Sequence, residues 1–480
     1  MPNNKLQKTG IKNRRRSLFL FVCVFSFFLL ISFTNIPGYF NLLPKIESVR
    51  ADAHATGGSG NWDSTTANAP WTSGVVPEAG DTVTIAAGHM VTIPAGVAAY
   101  AASIVISANN SGTQNGLTFA ASNSTLTLTG AVTMAAATAA PGSLFAVDAG
   151  TLSGATTLAL PGAGTGTWNT IFRISTGTAN FSNTITLSGT AAQSQFTFTS
   201  NGRLNVGGNF TAGGTFTRST GTINFTGGNT QTYGAYSYYN VEVNKTVGTA
   251  VGAASSNVTI PIGGNLTVTT GIFNIRRLTL TVTGTTTIDN GGVVDFVLLT
   301  TNNKIFVGRV TVKSGGTWQN TILTTLVVFR EGITVDADGS FNHGNALATF
   351  NTNNQTLEGN GNMTFGGTVT VATGITLTNN NTATVTVTGA LTFTGGWTQG
   401  PGSTLSYGSA TILGNSGAGT FNANTNANIV NYTAAAPNCK VVVYSSLSFT
   451  GSGAITCATL ATVNVNLTLS TAGAMTWTTG

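Results

Sequence analysis

Carboxylates two residues apart can work as a general acid/base pair or bind Ca2+, and the chain offers one such pair, Asp336 and Asp338. They close its densest charged stretch, residues 304–338, with Lys304, Arg309, Lys313, Arg330 and Glu331. Those seven are drawn from only 22 charged residues after position 53. On a strand, Asp336 and Asp338 would share a face; Asp338-Gly339 reads equally well as a turn. The bland reading of the cluster is a solvated face, and the sharper one is a glycan or Ca2+ site centred on Asp336, Asp338 and Glu331. Tyr233, Tyr236, Tyr238 and Tyr239 form the one dense aromatic group. Exposed, such rings stack on sugars; in a β protein they also fill cores. His54 lies at the expected processing boundary; the two remaining histidines, His89 and His343, are too few and too far apart for a zinc site and are expected as solvent-exposed turn residues. No H-E-x-x-H, P-loop, G-x-S-x-G or C-x-x-C motif occurs. The glycine-rich residues 162–166 lack the strand-then-helix frame that cradles phosphate, so a turn is expected there. No catalytic residue, metal set or cofactor is assigned on these grounds, and Ca2+ is the one ion the acids suggest.

These side chains need a scaffold, and composition narrows it. Only 7% of the 480 residues are charged. The net charge of +6 belongs to residues 1–53, and the remainder balances 11 bases against 11 acids. The usual inference from a basic chain to nucleic acid therefore fails, and no basic stripe with interleaved aromatics supports it. Residues 1–16 are polar and basic, residues 18–33 apolar apart from Ser26 and Ser32, and small residues follow at Ala51, Ala53 and Ala55. This is the pattern of a secretory signal over residues 1–53, with an exit near 51–55 or retention as an anchor. No later apolar run reaches the ~20 residues that span a bilayer, so no membrane contact is expected beyond the N-terminal segment.

The body alternates strands of three to six residues with turns of Gly, Asn, Ser and Thr. Thr82-Val-Thr-Ile85 and Met90-Val-Thr-Ile93 show the period of two. Phrases recur irregularly, such as Phe225-Thr-Gly-Gly-Asn-Thr-Gln-Thr232 and Phe350-Asn-Thr-Asn-Asn-Gln-Thr356. Residues 131–140 are alanine-rich and suit at most a brief helix. Degenerate strand–turn repeats over so long a stretch predict an all-β, right-handed parallel β-helix (β-solenoid), with a row of β-sandwiches as the alternative. In such a coil Cys439 and Cys457, 18 residues apart, would lie one layer apart, about 4.8 Å, within disulfide reach. Two buried free thiols are the other reading. Cys23 lies in the leader. T-x-T strings at 125–129, 279–283 and 382–388 raise ice binding, although Thr also simply favours strands.

Gly60, Trp62, Trp71, Gly74, Pro77, Gly80, Asp81 and Gly88 resemble the start of a G8 domain, a glycine-marked β module at the head of secreted and cell-surface proteins. The resemblance covers residues 60–106. It implies a G8-like module over 57–135 capping a repeat region over 136–480, whose phrases resemble those of bacterial surface β-helices, including adhesin-type passengers. The rhythm runs to Gly480 without a visible C-terminal barrel or sorting motif, which suggests an incomplete sequence, N-terminal attachment or release. The expectation is a secreted or cell-surface structural or adhesive protein that meets extracellular glycans or surface proteins through neutral polar faces. A polysaccharide lyase or glycosidase on the same scaffold is the alternative, and ice binding the second.

Overall fold

The computed structural model describes residues 51–65, 70–161, 168–189, 193–297, 302–320, 326–414, 419–457 and 462–470, and the backbone of Met475–Trp477. They belong to one compact unit, Ala51–Gly480. Residues 1–50, which carry most of the expected leader, and the expected turn at 162–166 lie outside the described residues.

A typical circuit of the chain lays down three short strands. Met90–Ile93 lies on a first face, Ala98–Ala101 on a second and Ser103–Ile106 on a third. Asn115–Phe119 then returns to the first face and pairs with Met90–Ile93, Thr125–Leu128 stacks on Ala98–Ala101, and Val132–Met134 on Ser103–Ile106. The step between paired residues varies from 31 (Gly60 to Val91) to 17 (Val430 to Leu447). That variation is why the repeats look degenerate in sequence: turns lengthen and shorten while strand register is kept. Every pairing between strands is parallel, which makes the chain a parallel β-solenoid and not a row of antiparallel sandwiches. No helix occurs among the described residues; the alanine-rich stretch contributes the strand Val132–Met134.

Alternation builds the core. In Thr384–Val387 the valines are buried and the threonines face out, and the same pattern recurs in Val310–Val312 and Thr376–Asn379. Inward residues from successive circuits form one continuous apolar cluster from Trp62 to Cys457. Register turns it into ladders: Leu117, Phe145, Phe172, Phe196 and Phe216 follow one another on the first face. The Phe145 and Phe172 rings stack at 5.1 Å, and those of Phe172 and Phe196 at 5.2 Å. Each such ring contributes roughly 1.5–3 kcal/mol by leaving water.

Several expectations change. The boundary placed at 135/136 carries no break in stacking, because Val132–Met134 pairs directly with Leu158–Leu160. Ala53–Ala55, at the expected leader exit, is a strand paired with Thr82–Ile85. His54 within it is buried, and His343 is wholly enclosed and so not the exposed turn residue expected. His89 is half-buried and shares a 2.9 Å hydrogen bond with Thr56 Oγ1. Cys439 and Cys457 are in register on adjacent strands and joined as a disulfide, with Cα atoms 5.0 Å apart.

Candidate functional site

The most developed polar site lies on the second face, where Thr178–Phe181, Arg203–Val206, Thr222–Phe225 and Asn240–Asn244 stack in register. Read as strands, these segments are Thr-Ala-Asn-Phe, Arg-Leu-Asn-Val, Thr-Ile-Asn-Phe and Asn-Val-Glu-Val-Asn. Period-two alternation sends Phe181, Val206, Phe225 and Val243 inward and puts Asn180, Asn205, Asn224 and Glu242 in one outward column. The amides form a directed chain. Asn180 Nδ2 donates to the Leu152 carbonyl (3.0 Å), Asn205 Nδ2 to Asn180 Oδ1 (2.6 Å), and Asn224 Nδ2 to Asn205 Oδ1 (2.8 Å). The next position is Glu242, which as a carboxylate has no N–H to donate. Asn224, only 4% exposed, is left with its Oδ1 unpartnered.

Arg203 lies across this column. Its Nε donates to Asn205 Oδ1 at 3.0 Å, and its two terminal nitrogens grip the Glu242 carboxylate as a fork. Because Glu242 is two circuits further along, the ion pair straddles the strand that carries Asn224. Beside it opens a cleft of about 490 Å3 lined by Gly154, Asn180, Phe181, Ser182, Arg203, Asn205, Asn224 and Thr226. One wall is a β-bulge in Thr151–Ala155, where register slips between Leu152 and Ala155. Gly154 sits in it at φ +72°, and a Cβ there would fall 2.2 Å from the Leu128 carbonyl oxygen. Arg309 repeats the device on the same face, donating to Glu358 at 3.1 Å across the strand that carries Thr334.

The acids singled out in the sequence are separated. Glu331 is exposed ahead of the strand Ile333–Val335, whereas Asp336 and Asp338 follow it. Asp336–Gly339 is a turn, closed by Gly339 N–H donating to the Asp336 carbonyl at 3.0 Å, with Asp338 at φ 60°. The shared-face reading of Asp336 and Asp338 thus gives way to the turn. Asp336 pairs with Lys313 at 3.6 Å. Asp338 borders a second cleft, of about 520 Å3, on the third face with Ser340, Asn342, Asn360, Asn362 and Thr364. Among the described residues no three His, Cys, Asp or Glu side chains gather as a metal set.

The tyrosines are mostly interior. The first face skips a strand between Thr215–Thr217 and Thr259–Ile262, and the aromatic group fills that gap. Tyr233 and Tyr238 are 2% and 1% exposed, and the Tyr238 hydroxyl donates to the Gly234 carbonyl. Tyr236 is half-buried against Phe210 and Phe216, its hydroxyl accepting from Gly213 N–H. Burial withdraws the Tyr233 and Tyr238 rings from any ligand and raises their phenols above the usual range. The asparagine column was missed in the sequence. Its signal is the recurring apolar-Asn-apolar triplet, hidden by unequal spacing.

No family model, curated protein or solved structure matches the chain.

Proposed function

We propose that the chain is a secreted or cell-surface rod, a right-handed coil with a structural and adhesive role. It meets extracellular glycans or surface proteins through many weak contacts and carries out no turnover. The observation that supports this reading is the alignment of neutral polar side chains into long outward columns. On the third face Thr364, Thr386, Ser406, Asn431, Ser448 and Thr468 follow in register. On the second face Thr267, Thr287, Thr311 and Thr334 do the same. Beside the second-face column, Arg309 is neutralised by Glu358. A rod of this kind presents hydroxyls and amides about 4.8 Å apart. Single contacts worth roughly 1 kcal/mol each add up when many engage at once.

Beads coated with the chain should adhere to glycan-bearing surfaces. Replacing Thr364, Thr386 and Ser406 together by Lys should reduce adhesion severalfold at an unchanged melting temperature. Undiminished adhesion would remove the columns from the mechanism. The carbohydrate-active alternative rests on Asp336 and Asp338. Glycan release abolished by Asp336→Ala or Asp338→Ala would establish it in place of adhesion. Ice binding has weaker support, because the T-x-T pairs do not extend as double ranks. Thr384 and Thr386 are followed by Thr404 and Ser406, then by Ile429 and Asn431.

A further inference from the structure

The amide chain on the second face is an incomplete circuit. Three asparagines pass hydrogen bonds from layer to layer, and the last oxygen, Asn224 Oδ1, receives none. A buried amide oxygen without a donor is unfavourable, and folded proteins seldom keep one. The solenoid had a ready solution, since a Gln or Asn at position 242 would have continued the ladder. Glu242 is there instead, turned toward Arg203. The Arg203–Glu242 fork spans the strand that carries the orphan oxygen, and both side chains are about one-third exposed, so salt screens the pair. Parting it would lay open, side by side, a donor-only guanidinium, an acceptor-only carboxylate and the vacant amide oxygen.

We infer that this cleft is a saccharide site, which rests on the adhesive reading above and gives it a ligand class. Its occupant is a neutral sugar unit with adjacent hydroxyls. One hydroxyl donates to Asn224 Oδ1 and its neighbour accepts from Arg203, while Ser182 and Thr226 line the far side. Neutrality follows from the two charges: Glu242 repels an acidic sugar and Arg203 repels a cation, whereas a hydroxyl serves both. Glycine at 154 keeps this wall in place, since a Cβ there would run into the Leu128 backbone.

The test uses the purified full chain on an array of immobilised neutral and uronic-acid-containing oligosaccharides, followed by calorimetry with the tightest neutral binder. Glu242→Gln is the decisive variant. It keeps the shape, releases Arg203 from its ion pair, and supplies an N–H that can satisfy Asn224 Oδ1 from within. Asn224→Leu removes the oxygen altogether, and melting curves report whether it still folds. Neutral oligosaccharides should bind, with affinity falling about tenfold in each variant, the loss of one good hydrogen bond. Val75→Ala, exposed and outside both the cleft and the columns, should leave binding unchanged. Raising the salt concentration should strengthen binding by loosening the ion pair. Affinity unaltered by Glu242→Gln, or a preference for uronic-acid oligosaccharides, would overturn the proposal. Bead adhesion that persists alongside either result would leave the rod reading standing. Cleft binding without bead adhesion would sink the rod reading and keep the site.

Discussion

His343 is wholly buried among Phe341, Phe365, Phe329 and Trp318, whose indole N–H donates to its Nδ1 at 3.3 Å. Burial disfavours the imidazolium and pushes the pKa down from 6.5 to about 4. The unfolded chain therefore takes up a proton between pH 6.5 and 4 that the folded chain refuses. The stability this neutral ring contributes is complete above 6.5 and is lost as pH falls toward 4, to a total of about 3 kcal/mol. Melting temperature should drop across that window in the wild type and much less in His343→Phe. Parallel curves would show that the ring does not titrate on unfolding. Nothing in Phe341-Asn342-His343-Gly344 announced this burial. The Asn-His-Gly run reads as a turn, and only the stacking of neighbouring circuits encloses the ring.

At the scale of elements, what the sequence disclosed and what it hid have one cause. Alternation along a strand is local, so Thr82–Ile85, Met90–Ile93 and Thr384–Val387 were readable residue by residue. Which column a residue joins depends on turn lengths between circuits, and these vary too much to count. Asn180, Asn205 and Asn224 are therefore plain in the fold and obscure in the chain, and Asp336 and Asp338, open between strand and turn in the sequence, are assigned to a turn only by the fold. The first circuit extends the point. Gly-Asn-Trp and Trp71 suggested an opening module capping the repeats, and in the fold Ala53–Ala55 and Gly60–Asn61 stack as layers of the solenoid. Trp62 and Trp71 pack edge-to-face at 5.0 Å over its beginning. Asp81 ties this layer down. It accepts the backbone N–H groups of Asp52 (2.9 Å) and Glu78 (2.8 Å) and pairs with His54 at 3.0 Å. Burial alone would raise its pKa, but these donors outweigh it and hold the carboxyl below its ordinary value. The stability from Asp81 is thus present above the usual carboxyl range and lost as pH falls through the lowered value. Asp81→Asn keeps the size but weakens the acceptor, at a cost of about 1–3 kcal/mol. Amide exchange should quicken in Ala53–Ala55 and Thr82–Ile85 and stay slow in Thr384–Val387. Uniform protection in the variant would mean that the first layer does not depend on this carboxylate.

In the whole molecule each circuit stacks its strands on the ones before and after it, with reach beyond a neighbour confined to long side chains such as Arg203 and Arg309, so stability is largely a sum of neighbouring interfaces and not one indivisible core. The disulfide tests this directly. Cys439 and Cys457 close a loop of 18 residues, a constraint worth about 3 kcal/mol in the chain-entropy account. That energy is confined to the circuits around Asn438–Cys439 and Ile455–Cys457, because the bond links neighbours and bridges no distant layers. Ile429–Tyr432 and Val443–Phe449, which pair with each other, should feel its loss first. The phenylalanine ladder from Phe145 to Phe216 should not feel it at all. Under a reductant, or in the Cys439→Ala, Cys457→Ala double variant, hydrogen exchange should accelerate from Ile429 onward. Thr82–Ile85 and Thr170–Ile174 should keep their native rates, and the melting curve should gain an early phase. If the curve instead remains a single transition shifted as a whole, the circuits unfold together. The columns would then form one cooperative wall, and adhesion should survive the loss of any one layer's contacts less well than a sum of independent neighbours allows.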